Sequence, residues 1–122
     1  MARWMAIAES DWRAAELLAA NGLPSQAVFH THLWVEKVLK ALVTERLTLA
    51  AVPRTHNLRT LLSIAVENPP RWLESFLGTL SPHSTSSRYA LAPESLVYTA
   101  ALAQTMLDGA KEATGWLNKL LT

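Results

Sequence analysis

Cysteine is absent from this chain, which excludes disulfides and thiolate metal sites alike. Charge is scarce: Asp, Glu, Lys and Arg make up 17% of the residues, against about 25% in an average domain. What charge there is nearly cancels, leaving +1 at neutral pH. That excludes a general pull toward nucleic acid or an acidic membrane surface, although a local basic strip remains open. No apolar run approaches the ~20 residues of a membrane span. The start, Met1-Ala2-Arg3-Trp4-Met5, lacks the charged-then-apolar layout of a signal peptide. The expectation is a cytoplasmic protein with no membrane attachment. There is no phosphate loop, no Gly-x-Ser-x-Gly elbow, no His-Glu-x-x-His and no Asp-rich calcium loop. No internal repeat and no strand alternation is visible.

What the sequence has in quantity is apolar helix. Half of its 122 residues are hydrophobic, enough for one domain over 1–122 to bury a real core. So little charge leaves too few polar residues to cover that core completely. A homodimer or a partner protein is therefore expected. The five tryptophans fit this, since Trp is enriched at interfaces as well as in cores.

Hydrophobic spacing predicts the elements in order. Helix one runs from about Arg3 to Ala20, with Trp4, Ala8, Trp12, Ala15 and Ala19 as its stripe, and Asn21-Gly22 ends it. Helix two opens at Pro24 and continues to Glu45 or Arg46. Its apolar arc holds Ala27, Val28, Trp34, Val35, Val38, Leu39, Ala41 and Leu42. Gln26, His30, Lys37, Lys40 and Thr44 form a polar strip expected to face water, a partner or a ligand. Residues 47–54 read as a connector, Thr55 as the N-cap of a short third helix over His56–Val66, and Asn68-Pro69-Pro70 as its end. A fourth helix covers Arg71 to Leu80. The polar stretch 81–87 reads as a mobile loop, and Pro93-Glu94 as the start of a long fifth helix. That last helix would be on the order of 40 Å long at about 1.5 Å per residue. Gly109 and Gly115 within it could let another helix approach closely. The sum is an all-α, up-and-down bundle of three long and two short helices.

Few residues suggest chemistry. Glu9 and Asp11 diverge on a helix, while Asp108 and Glu112 share a face with nothing to complete a site, so two-metal chemistry is not expected. His30 and His32 also point apart. His32 and Glu36 sit at i,i+4, where they read as a core-edge histidine facing a carboxylate rather than a metal site. Neither a metal nor a cofactor is expected. His56 reads either as a capping residue of helix three or as a surface imidazole beside Lys37 or Arg88, placed to touch a phosphate. Arg88 reads either as a helix-end carbonyl donor or as a phosphate fork, with Tyr89 offering a stacking face or a hydroxyl. Lys37 and Lys40 are a solvated face or, with Arg88, the positive charge that an otherwise neutral domain needs to bind nucleotide or RNA.

The order of these fragments resembles the HEPN family of nucleotide-binding domains from higher eukaryotes and prokaryotes. The resemblance rests on Trp4, Ala8 and Asp11-Trp12, then Gly22 ahead of Ala27-Val28-Phe29. It continues through Glu36-Lys37-Val38-Leu39-Lys40-Ala41-Leu42, Thr55-His56-Asn57-Leu58 and Arg88-Tyr89, nearly the whole chain. It implies a bundle of about five helices, usually dimeric. Many members are encoded beside a minimal nucleotidyltransferase as a toxin–antitoxin module. Many others are metal-independent ribonucleases whose site is an Arg, four to six variable residues, then a His. This sequence departs from that motif: Arg88 is followed by Tyr89-Ala90-Leu91-Ala92-Pro93-Glu94-Ser95, with no His in range.

The resemblance therefore implies a non-catalytic protein that binds a nucleotide or RNA phosphate around Lys37, Lys40, His56, Arg88 and Tyr89, with a nucleotidyltransferase as partner. A ribonuclease with a rearranged Arg/His site, using His56 or His83, is the alternative. A purely structural helical module is the third reading.

Overall fold

The first turn of the bundle is set by Gly22, which takes φ +73° past the end of helix α1 (Ala2–Ala20). The Leu23 N–H donates to the Leu18 carbonyl at 2.9 Å and the Gly22 N–H to that of Ala19 at 3.3 Å. This is the paired-bond termination that a left-handed glycine permits. It reverses the chain at once into α2 (Pro24–Arg46), which starts on the proline as its sequence requires. The two run antiparallel: Asp11 meets His30, Trp12 stacks on Trp34, and Lys40 lies over Trp4.

The computed structural model describes residues 2–46, 54–83 and 98–121. After α2 come α3 (Leu58–Ala65), α4 (Arg71–Leu80) and α5 (Ala100–Asn118). Among the described residues there is no strand, and the architecture is the all-α bundle of three long and two short helices that the spacing predicts.

Helix α2 is the centre of the bundle, packed on α1, α5 and α3. Every residue of the predicted apolar arc is buried. The predicted polar strip is not a solvated face, however. Of its members only Gln26 is exposed; His30, Lys37 and Thr44 are half-buried and Lys40 is buried. The reason is geometric: a helix covered by neighbours on several sides has no face left for water. Its polar residues must find partners inside the protein.

Two further elements depart from the sequence reading. The N-cap of α3 is Asn57, not Thr55: the Asn57 carboxamide oxygen accepts the N–H groups of Arg59 and Thr60 at 3.1 Å each. Helix α5 begins at Ala100, because Thr99 is extended and its hydroxyl accepts the Leu102 N–H at 3.0 Å. The last described helix is thus 19 residues long, and the predicted start at Pro93-Glu94 lies outside the described residues. Within it, Gly109 does admit a close neighbour: a Cβ there would lie 2.3 Å from the Phe76 ring of α4. Gly115 faces open space and receives no such contact.

Candidate functional site

The side chain that gathers the polar residues is Glu36, at the middle of α2 and 0% exposed. A carboxylate removed from water costs several kcal/mol unless its oxygens are fully bonded. Here they are. Oε2 accepts from Lys40 Nζ at 3.1 Å and Lys37 Nζ at 3.3 Å, and Oε1 pairs with His56 Nδ1 at 2.9 Å. Burial by itself pushes the Glu36 carboxyl upward. The His56 bond and the two lysine charges outweigh it and hold the group below the ordinary carboxylate range. Glu36 is therefore ionised at neutral pH. As an ionised carboxylate it can only accept, so the proton in its bond with His56 lies on Nδ1.

His32, one turn before Glu36, is completely buried, with Nδ1 3.5 Å from Glu36 Oε1. Neither of its ring nitrogens has a well-aligned hydrogen bond among the described residues. Burial drives its pKa down to about 4, against the opposing pull of the Glu36 charge. It is a neutral core histidine, as its spacing from Glu36 suggests.

His56 reaches Glu36 because the chain before α3 is locally fixed. The Thr55 hydroxyl accepts the Asn57 N–H at 3.1 Å, Asn57 caps the helix, and the Leu58 N–H donates to the Ser81 hydroxyl at the end of α4 at 3.1 Å. With capping left to Asn57, His56 is free to bridge the α3 entrance and α2. Its side chain remains 69% exposed while its Nδ1 is held from inside.

The exposed part of the ring lines an open depression of about 430 Å³ shared with Asn57, Arg59, Gly78, Ser81 and Pro82. The Arg59 stem lies along Gly78, where a Cβ would come within 3.3 Å of Cδ. Among the described residues the guanidinium of Arg59 has no ion-pair partner. The depression therefore carries an imidazole and an unpaired guanidinium on its rim. Behind them two ammonium groups face one carboxylate. The net sign is positive.

Of the predicted site residues, the structure thus brings Lys37, Lys40 and His56 together on Glu36. Arg88 and Tyr89 lie outside the described residues. His83 takes a separate position: it is buried, its Nδ1 is 2.9 Å from the Tyr98 hydroxyl, and burial lowers its pKa. Sequence reading does not single out Arg59. A signal is there, three residues past His56 in the first turn of a helix, where an arginine without a carboxylate at i±4 is an unpaired charge. Among the described residues no group of three or more His, Asp or Glu is arranged to hold a metal ion. None of the described helices is long and apolar enough to cross a membrane.

Comparison of the sequence with curated proteins gives no match. Two solved structures share the fold. One is an archaeal HEPN homologue, 24% identical, covering 98% of this chain and 96% of its own, with a TM-score of 0.79. The other is a protein from Thermus thermophilus, 23% identical, covering 96% of this chain and 94% of its own, with a TM-score of 0.82. The model of the HEPN domain matches residues 1–120, and on that match the chain belongs to the HEPN family.

Proposed function

We propose that this HEPN protein binds the phosphate of a nucleotide or RNA in the depression at the α3 entrance, and does so as the partner of a separately encoded minimal nucleotidyltransferase in a toxin–antitoxin-type module. One observation carries the binding half of this reading: the buried Glu36 places His56 beside an unpaired Arg59 with two lysines behind. In this reading Arg59 grips the phosphate as a fork and the His56 ring donates or accepts at its edge. Lys40, being buried, acts only through its charge, and Lys37 acts chiefly the same way. The family and the shortage of surface charge support the partner and the homodimer.

The test is fluorescence polarisation of a labelled 2′-O-methyl RNA 12-mer, an uncleavable strand, titrated with the protein at low and moderate salt. Binding that weakens with salt, and by about tenfold or more in Arg59→Ala, supports the reading. Binding unchanged by Arg59→Ala contradicts it. For the partner, affinity capture from the native cytoplasm should return a nucleotidyltransferase, and the intact mass of this chain should be read at the same time. Added mass in whole AMP units, for instance on Tyr89, would make this chain the partner's substrate. Recovery of the unmodified chain alone would count against the module.

A further inference from the structure

We infer that the phosphate bound at the α3 entrance belongs to a guanosine unit, and that Glu74 reads its base in a second depression beside the first. The inference rests on the phosphate-binding reading above and names the base that goes with the phosphate. Three observations carry it. First, a depression of about 370 Å³ between α3 and α4 shares Asn57 and Arg59 with the phosphate site and adds Thr60, Leu62 and Glu74. A ligand whose phosphate is gripped by Arg59 therefore has room for its next group alongside. Second, Glu74, half-buried in the first turn of α4, has neither a hydrogen bond nor an ion pair among the described residues. The positive end of α4 favours an acid there. That field does not satisfy the carboxylate's lone pairs, however, and Arg59, which lines the same depression, is not paired with it. Third, donors stand ready beside the acid. The Asn57 carboxamide oxygen accepts the N–H groups of Arg59 and Thr60. This leaves the Asn57 NH₂ group, like the Thr60 hydroxyl, with no acceptor among the described residues.

The choice of base follows from this set of donors and acceptors. A carboxylate repels a phosphate, so what enters beside Glu74 is the neutral, donor-bearing part of the ligand. An ionised carboxylate only accepts, through two oxygens side by side. Its match is a base edge with two adjacent N–H donors. Guanine has that edge, N1–H beside the 2-amino group. Adenine sets a bare N1 beside its 6-amino group, and cytosine a bare N3 beside its 4-amino group. Uracil offers one N3–H between two carbonyls. Each of these three turns a lone pair toward the carboxylate, which costs what the remaining N–H gains. Guanine also has O6 next to N1, and this oxygen accepts from the Thr60 hydroxyl or the Asn57 NH₂. Leu62, almost wholly buried, forms the apolar floor under the ring. Glu74 is thus the residue that sets specificity, and Arg59 the anchor between base and phosphate.

The experiment titrates the full chain at low salt with GMP, IMP and AMP, read by calorimetry. Two 2′-O-methyl RNA 12-mers, one with guanine and one with adenine at every purine position, are read by fluorescence polarisation. The guanine form should bind about tenfold or more tightly than the adenine form. IMP, which keeps N1–H but lacks the 2-amino group, should fall between GMP and AMP. A preference confined to the mononucleotides supports the site with a free nucleotide as its ligand; one confined to the strands supports it with RNA. Glu74→Gln should bring guanine binding down to the adenine level while leaving adenine affinity within about twofold, a separation that loss of folding cannot produce. Arg59→Ala should weaken every probe alike. Equal binding of the guanine and adenine forms, lost in Arg59→Ala, overturns the guanine reading and leaves phosphate binding standing. Failure to bind any probe overturns both. A guanine preference that Glu74→Gln leaves intact overturns the assignment to this depression.

Discussion

Glu9–Arg13 on α1 and Glu36–Lys40 on α2 are ion pairs with the same i,i+4 spacing and the same order of charges, at 2.9 and 3.1 Å. In sequence they are interchangeable. In the structure the side chains of Glu9 and Arg13 are 57% and 77% exposed, and those of Glu36 and Lys40 0% and 10%. Water screens the first, and its two long side chains are ordered for little return. The second has no water to fall back on. Its carboxylate must collect every donor within reach, and in doing so it pulls Lys37 and His56 onto the same point. One pair decorates a helix. The other assembles a site.

The largest way to break that contrast is Glu36→Ala. It leaves Lys40 buried without its counter-charge and should cost about 3–5 kcal/mol in urea denaturation. A cost below about 1 kcal/mol would mean that the cluster is not integrated into the core. Acid is the next lever. His32 is held neutral with a pKa of about 4 against 6.5 for a free histidine. A group with a depressed folded pKa contributes fully above its unfolded value and loses that contribution as pH falls through the folded one. Stability should therefore hold above pH 6.5 and fall between there and pH 4, by an amount on the order of 3 kcal/mol. Glu36, also depressed, adds to the loss below its ordinary range. A melting temperature that stays flat across that window would contradict the buried neutral histidine.

Substitutions away from this cluster should have smaller effects. Gly109→Ala drives a methyl into Phe76 and should lower stability by about 1–3 kcal/mol, despite alanine's better helix propensity. Gly115→Ala meets nothing and should instead raise it by up to about 1 kcal/mol. Asn57→Ala removes the cap of α3 and should cost about 1 kcal/mol, more than Thr55→Ala. Glu9→Ala, the exposed counterpart of the first test, should stay within about 0.5 kcal/mol of the parent. Thermal or urea denaturation reads all five.

The contrast also explains how far the sequence can be read. Helix type and order are legible because Ala, Leu, Trp and Val repeat at three and four residues along α1, α2, α4 and α5. Gly22 and Pro24 mark the turn between the first two. The strip on α2 looks solvated in sequence because periodicity reports which side is apolar, not how many sides are covered. Lys40 looks the same in a one-sided helix and in a central one until its neighbours are placed. Thr55 and Asn57 are both good caps, and only geometry separates them. The gathering of Lys37, Lys40 and His56 is foreshadowed in the sequence as a basic groove. Its organising acid, Glu36, reads there only as the carboxylate that faces a core-edge His32, because a separation of 20 positions along the chain hides its contact with His56. Arg59 escapes notice for the same reason: its depression is formed by residues from α3 and from the end of α4.

A buried carboxylate holds His56 by Nδ1 and leaves the rest of the ring exposed at the proposed phosphate site. Long-range ¹H–¹⁵N spectra of the histidine rings at pH 8, recorded before and after adding the 2′-O-methyl strand, test it most directly. His56 should carry its proton on Nδ1 in the free protein, and its Nε2 resonance should move when the strand is added while that of buried His32 stays. A His56 ring protonated on Nε2 instead, or an Nε2 signal indifferent to the strand, would contradict it.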